Sequence, residues 1–166
     1  MKYRAATELI IIRGAPGVGK TSVVSMLRSK VAGGIFIETD TLRAMVNHVD
    51  WDDTRTHLNA VQASKTLAFA FLEMGYRPVF LIDTLSGGTL DIVIKDCPYE
   101  YRIISLVADE ALIKTRIEKR KSNFMNVEKA AQVNRLILES DAAHNFTLNT
   151  TTRSIDDITD EVLGLL

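Results

Sequence analysis

The sequence holds little that would anchor it outside a reducing compartment or to a membrane. There is one cysteine among 166 residues, Cys97, so no internal disulfide can form and a cytoplasmic setting is expected. Charge of one sign is missing too. Twenty Lys and Arg against 21 Asp and Glu leave a formal net charge of −1. That gives no global electrostatic footprint for wrapping nucleic acid, although a local basic groove remains compatible with it. The start, Met1 to Glu8, contains no long apolar run and does not read as a secretory signal. The most apolar later stretch, Leu67 to Leu85, is interrupted by Glu73, Gly75, Arg77, Pro78 and Asp83, too often to span a bilayer. No repeat, low-complexity tract or linker divides the chain, and its length suits one domain over residues 1–166 with a sizeable core.

What the sequence does contain is concentrated in residues 9–21. Leu9 to Ile12 read as a short strand buried on both faces. They lead directly into Gly14-Ala15-Pro16-Gly17-Val18-Gly19-Lys20-Thr21, which fills every fixed position of G-x-x-x-x-G-K-[ST]. Glycines at 14, 17 and 19 are expected to let the backbone adopt positive φ and turn successive N–H groups into one anion-binding concavity. Lys20 brings an ammonium toward the β- and γ-phosphates, and the Thr21 hydroxyl is suited to Mg²⁺. The helix that follows, beginning through Ser22, offers its positive end to the same phosphates, with Val23, Val24, Met26, Leu27 and Val31 on its buried side. A Gly-rich turn joining a strand to a helix is the bland alternative; the strand–loop–helix context favours a site for a nucleoside triphosphate.

Further strands are expected at 35–38, 79–83, 102–107 and 146–149. Helices are expected from Asp40 or Thr41 through about Val49, from Arg55 to Met74, over Leu90–Lys95, 109–121 and 126–139, and from Ser154 onward. The long one should bury Leu58, Val61, Ala68, Phe71 and Leu72, and the last one Ile155, Ile158, Val162 and Leu165. Five buried strands alternating with helices mean an α/β domain with a parallel sheet covered on both faces. In such a sheet ligands lie beyond the carboxyl ends of the strands. That rule aligns the 14–21 loop, Asp40, Asp83 and the segment after residue 149 along one rim.

Asp83 closes a run of four apolar residues and is placed to support Mg²⁺ beside Thr21, most simply through water; a helix-capping Asp is the alternative. Asp40 is the candidate general base for an incoming hydroxyl. Arg43, one helical turn on, would share its cleft, keep the acid's pKa low and bind an anionic group on the acceptor. Otherwise Asp40 merely caps a helix and Arg43 pairs with it at the surface. Arg116 and Arg120 lie four apart with no acid at helical spacing, and are read as triphosphate contacts rather than a solvated charged face. His48, Trp51, Arg55 and His57 fall in a polar excursion over about 41–57 that could wall an acceptor pocket, and Arg135 is a further possible phosphate contact. His144 and Cys97 are read as structural.

With these motifs in view, the chain resembles the small P-loop kinases related to nucleoside monophosphate kinases, a three-layer fold with strand order 2-3-1-4-5. Asp40-Thr41-Leu42-Arg43 is similar to the Asp-x-x-Arg of polynucleotide 5′-hydroxyl kinases, where the Asp is base and the Arg binds acceptor phosphate. Ala111 to Arg120 is similar to the segment leading into the adenylate kinase lid, which implies that Arg116 packs on adenine and Arg120 meets the transferring phosphoryl. The same resemblance puts Asn149 to Arg153 near the adenine, and a short lid at about 121–128 with Lys121, Ser122 and Asn123. After the third strand, Asp83-Thr84-Leu85-Ser86-Gly87-Gly88 departs from adenylate kinases and argues against a nucleoside monophosphate acceptor. The expectation is an ATP- and Mg²⁺-dependent phosphotransferase with Lys20, Asp40 and Arg120 in the catalytic roles. A small-molecule acceptor is favoured over a nucleic-acid 5′ end. A nucleotide-dependent switch with a protein partner is the alternative, and the acid at the rim speaks against it.

Overall fold

The computed structural model describes residues 8–119, 126–140 and 142–166. Leu9–Gly14 forms β1, every residue of it buried. Strands β2 (Ile35–Glu38), β3 (Val79–Asp83), β4 (Tyr101–Val107) and β5 (Asn145–Asn149) complete one parallel sheet in the order β2-β3-β1-β4-β5. The central strands are almost wholly apolar because helices cover both of their faces. Ile10, Ile12, Phe80, Ile104 and Leu106 point toward Val24 and Leu27 of α1 (Lys20–Lys30) and Ile158 of α7 (Ile155–Gly164). Leu9, Ile11, Leu81 and Ile103 pack on the other side against Val61, Ala68 and Leu72 of α3 (Thr54–Glu73) and Val93 of α4 (Gly88–Ile94). The first side also takes Ile113 and Ile117 of α5 (Glu110–Lys119) and Ala130 of α6 (Val127–Leu138), and the second takes Leu42 of α2 (Thr39–Arg43). Among the described residues, no helix is long and apolar enough to cross a membrane.

Most element positions follow the sequence expectation, and α7 begins behind Ser154 as expected, with a reciprocal cap between Ser154 and Asp157. Four differences have physical causes. The helix expected to run to Val49 stops at Arg43, and Asp40 lies in its first turn rather than capping it, since Glu38 precedes the helix. Met45 and Val46 are 72% and 47% exposed, so a longer helix would have no apolar face to bury there. On α3, Leu58 is exposed, and Ala60 and Ser64 take the buried positions instead. Ile155 of α7 is exposed, while Ile158 and Val162 are buried as expected. Finally, Gly14 does not adopt positive φ, in contrast to Gly17 (+87°) and Gly19 (+105°). It is required for space: a Cβ there would sit 2.6 Å from the Leu106 carbonyl oxygen and 2.7 Å from Val18 Cγ2.

One core residue is a charge that the apolar reading of β1 passed over. Arg13 is 0% exposed, Nε donates to Ser105 Oγ at 2.7 Å, and Nη1 and Nη2 have no hydrogen-bond partner among the described residues. Burial lowers its pKa, as desolvation of a cation must. Ser105 Oγ in turn donates to Asn145 Oδ1 at 2.6 Å and would keep that bond without Arg13. A buried ion exchanged for an apolar side chain of similar size is commonly neutral or stabilising. Arg13→Met should therefore unfold at an unchanged or higher temperature, a gain of about 1 kcal/mol corresponding to about 2–4 °C. Thermal denaturation followed by circular dichroism checks this; a lower midpoint would mean that the guanidinium has a stabilising partner.

Candidate active site

The carboxyl ends of β1, β2 and β3 open onto one cleft, as the sheet rule requires. A cavity of about 190 Å³ sits over the 14–21 loop, and its wall includes Lys20, Thr21, Glu38, Asp40 and Asp83. The loop is stitched from within. Lys20 Nζ donates to the carbonyls of Gly14 and Ala15, and Ser22 N and Val23 N both donate to the Gly19 carbonyl as α1 begins. Arg116 Nη1, arriving from α5, donates to the carbonyls of Gly17 and Val18 at 3.1 and 3.2 Å. Thr150 Oγ1, just beyond β5, donates to the same Val18 carbonyl at 2.7 Å. The sequence marked the 149–153 segment for the nucleotide side but not this bond from Thr150, whose partner lies 132 positions away. Behind the loop, Gly19, Ser22, Arg116, Thr150, Arg153 and Ile155 line a second cavity of about 350 Å³. Arg153 Nη2 is tied to Glu161 Oε2 at 2.6 Å along its edge.

A third cavity, about 500 Å³, adjoins the first and shares Pro16, Asp40, Asp83 and Thr84 with it. Trp51, Asp52 and His57 form one side of it and Lys129 and Val133 of α6 the other. Asp83 is buried at the common wall, and its Oδ2 accepts from His57 Nε2 at 2.8 Å. That bond raises the His57 pKa above its ordinary value, against the burial of the ring. Asp40 is exposed on its solvent side, yet the cleft walls strip water from its carboxyl. This loss of hydration, with repulsion from Asp83, raises its pKa; Lys20, His57 and Arg43 oppose the rise.

The low pKa expected for Asp40 beside Arg43 is thus corrected, and the orientation of Arg43 supplies the reason. Its side chain is buried, with Nη2 donating to the carbonyls of Asp50, Trp51 and Asp53 and to Thr56 Oγ1 at 2.8–3.4 Å. The guanidinium also lies 5.0 Å from the centre of the Trp51 ring. Rather than reaching Asp40, Arg43 folds the 44–53 excursion back on itself and brings Asp53 to the start of α3, where its carboxylate accepts from the N–H groups of Arg55 and Thr56. A methionine in its place keeps the apolar stem and removes every donor. Arg43→Met should leave these part-buried carbonyls underbonded at about 1–3 kcal/mol. The expected result is faster amide exchange confined to residues 44–56, with nucleotide affinity unchanged.

Other expected residues divide cleanly. Trp51 and His57 line the third cavity. Arg55 and His48 are exposed, the latter with φ +54°. Arg135 pairs with Glu110 away from the loop, so it is not brought to the cleft. His144 meets the Tyr101 ring edge-on at 5.5 Å, and the Cys97 thiol donates to the Tyr99 carbonyl. Arg120 and the lid residues Lys121, Ser122 and Asn123 lie outside the described residues.

Known structures place this architecture. A sugar kinase from Janibacter sp. HTCC2649 superposes with a TM-score of 0.73 at 17% identity, covering 95% of this chain and 93% of that one. A gluconokinase from Sinorhizobium meliloti 1021 gives 0.68 at 20%, covering 97% and 92%. The Mycobacterium tuberculosis APS kinase, solved in complex with AMPPNP and APS, gives 0.71 at 14%, covering 96% and 97%. The chain has the fold of small P-loop kinases. No family model and no curated protein matches its sequence. At such identities a P-loop kinase fold is what the likeness establishes, and the chemistry has to be argued from the cleft.

Proposed function

We propose that this chain is an ATP- and Mg²⁺-dependent phosphotransferase that moves the γ-phosphoryl group to a hydroxyl of a small molecule. The observation that carries the reading is the wall shared by two cavities. Asp40 and Asp83 border both the space over the phosphate loop and the larger space beside Trp51, where an acceptor would lie. Main-chain N–H groups of residues 14–21, with Lys20 and the start of α1 at Thr21 and Ser22, hold the polyphosphate. The base and sugar occupy the cavity beside Arg116, Thr150 and Arg153. Arg116 takes part both through its own charge and by bracing the loop carbonyls; Arg120 is assigned to the transferring group by the sequence resemblance alone.

The acceptor O–H approaches the γ-phosphorus from the Trp51 side. A new O–P bond forms as the β–γ bridging P–O bond breaks, the proton passes to Asp40 Oδ, and nucleoside diphosphate leaves with the bridging oxygen. Thr21 and Asp83 offer the hard oxygen donors that suit Mg²⁺, with phosphate and water completing its shell. When bound, the ion supplies positive charge to the β- and γ-oxygens. Asp83 is held in place for this by His57.

A small acceptor is preferred because the described lining of the 500 Å³ cavity holds four aspartates, at 40, 52, 53 and 83. Its fixed cations are Arg43, turned into protein carbonyls, and Lys129. A nucleic-acid end calls instead for several unengaged cations along its phosphates. Labelled ATP presented to panels of sugars, sugar acids, amino alcohols and 5′-hydroxyl oligonucleotides tests this. Transfer to a small alcohol is the expected result. Transfer to oligonucleotides with a steep salt dependence would overturn the acceptor class, and transfer to none of them, with a partner protein captured only in the ATP state, would overturn the enzyme.

A further inference from the structure

The contact between His57 and Asp83 joins a residue of the acceptor wall to the carboxylate assigned to magnesium support, across 26 positions of sequence and from two different elements, α3 and β3. Asp83 is 95% buried, and Oδ2 accepts from His57 Nε2 at 2.8 Å. A carboxylate at a strand end can rotate about its last bond, and a single fixed hydrogen bond removes that freedom. Asp40 faces the same wall and is repelled by Asp83, so nothing acidic in the cleft could do this holding. Arg43 is committed to the 50–56 carbonyls and hydroxyl, and the Lys20 ammonium, in the same cavity wall, reaches the loop carbonyls of Gly14 and Ala15. The hydrogen bond from His57 is the contact that orients the Asp83 carboxylate from the acceptor side.

We propose that His57 is a positioning residue: by donating from Nε2 it fixes the plane of Asp83 so that the remaining oxygen faces the magnesium–nucleotide, and it brings that control to the surface an acceptor touches. The role needs only an N–H at the Nε2 position, whatever the charge of the ring. Outer partners that orient a metal-supporting ligand are commonly worth about 10–100-fold in metal affinity. The inference rests on the phosphotransferase reading only in taking Asp83 as magnesium support.

The test measures binding of a fluorescent non-hydrolysable ATP analogue to the full chain over a Mg²⁺ titration and again in EDTA. His57→Phe should raise the half-saturating Mg²⁺ concentration about tenfold, with EDTA affinity unchanged. His57→Gln, whose amide N–H reaches the Nε2 position, should stay within about twofold of the parent. If the phenyl ring prevents folding, His57→Ala takes its place in the same comparison. An unaltered Mg²⁺ midpoint in the Phe or Ala variant overturns the proposal. So does an equal loss with and without Mg²⁺, which would make His57 a packing residue. Neither readout depends on phosphoryl transfer, so failure here is distinguishable from failure of the acceptor screen.

Discussion

Asp40→Asn should lower kcat for acceptor phosphorylation by about 10²–10⁴-fold, the span usual for loss of a positioned general base, while ATP affinity stays within about twofold. The two effects separate because Asp40 borders the phosphate cavity without belonging to the loop that grips the polyphosphate. Asparagine keeps the shape and a hydrogen-bonding oxygen but cannot take a proton. The pH dependence supplies a second check. Loss of hydration and the neighbouring Asp83 raise the Asp40 pKa, so its ionised form is lost at a higher pH than for a solvated aspartate. As pH falls through that raised value the base becomes protonated, and the acid limb of the kcat/KM profile should lie above the ordinary carboxylate range. In Asp40→Asn the limb should vanish from the residual activity. A variant with parental kcat and an intact acid limb would remove Asp40 from the chemistry and leave the cleft without a base.

The cleft was legible in the sequence to different depths at different residues. The phosphate loop could be read in full because its requirements are local: glycines, a lysine and a hydroxyl at fixed spacing, between a buried strand and a helix. Asp40 and Asp83 were legible one level up, since Asp83 ends β3, Asp40 follows the end of β2 by two residues, and the parallel-sheet rule sends strand ends to the same rim. His57 was legible as part of a cavity wall but not as a partner of Asp83. That contact is made by the packing of α3 over β3. Arg43 was legible by halves. One helical turn from Asp40 placed both in the wall of one cavity, but 44–53 turns back and brings three carbonyls and a hydroxyl to Nη2, so the guanidinium braces the chain instead of pairing with the carboxylate. Arg13 was hidden by its neighbours. Four apolar residues before it announce a buried strand, and nothing local says that the burial continues through a guanidinium.

Lys20→Ala carries the second large effect, and it separates the anion cradle from the scaffold beneath it. Removing one preorganised donor from a developing oxyanion usually lowers kcat by about 10²–10³-fold, or about 3–4 kcal/mol, and Lys20 is the side-chain cation of the phosphate loop itself. In this structure its ammonium is held over the loop by the Gly14 and Ala15 carbonyls. Ala15 lines the cavity, where water replaces the lost donor at its carbonyl, so the loop keeps its path. The glycine geometry at 17 and 19, the Arg116 and Thr150 bonds to the loop carbonyls, and the contact of Gly14 with Leu106 all persist in the variant. The expected outcome is therefore an unfolding midpoint like the parent's, with nucleotide binding weakened and transfer nearly abolished. Calorimetric titration with ATP and thermal denaturation of the same preparation check both halves. A folded Lys20→Ala protein that transferred phosphate at the parental rate would mean that the transferring group is stabilised elsewhere in the cleft, and the cradle would be a binding surface without a catalytic cation.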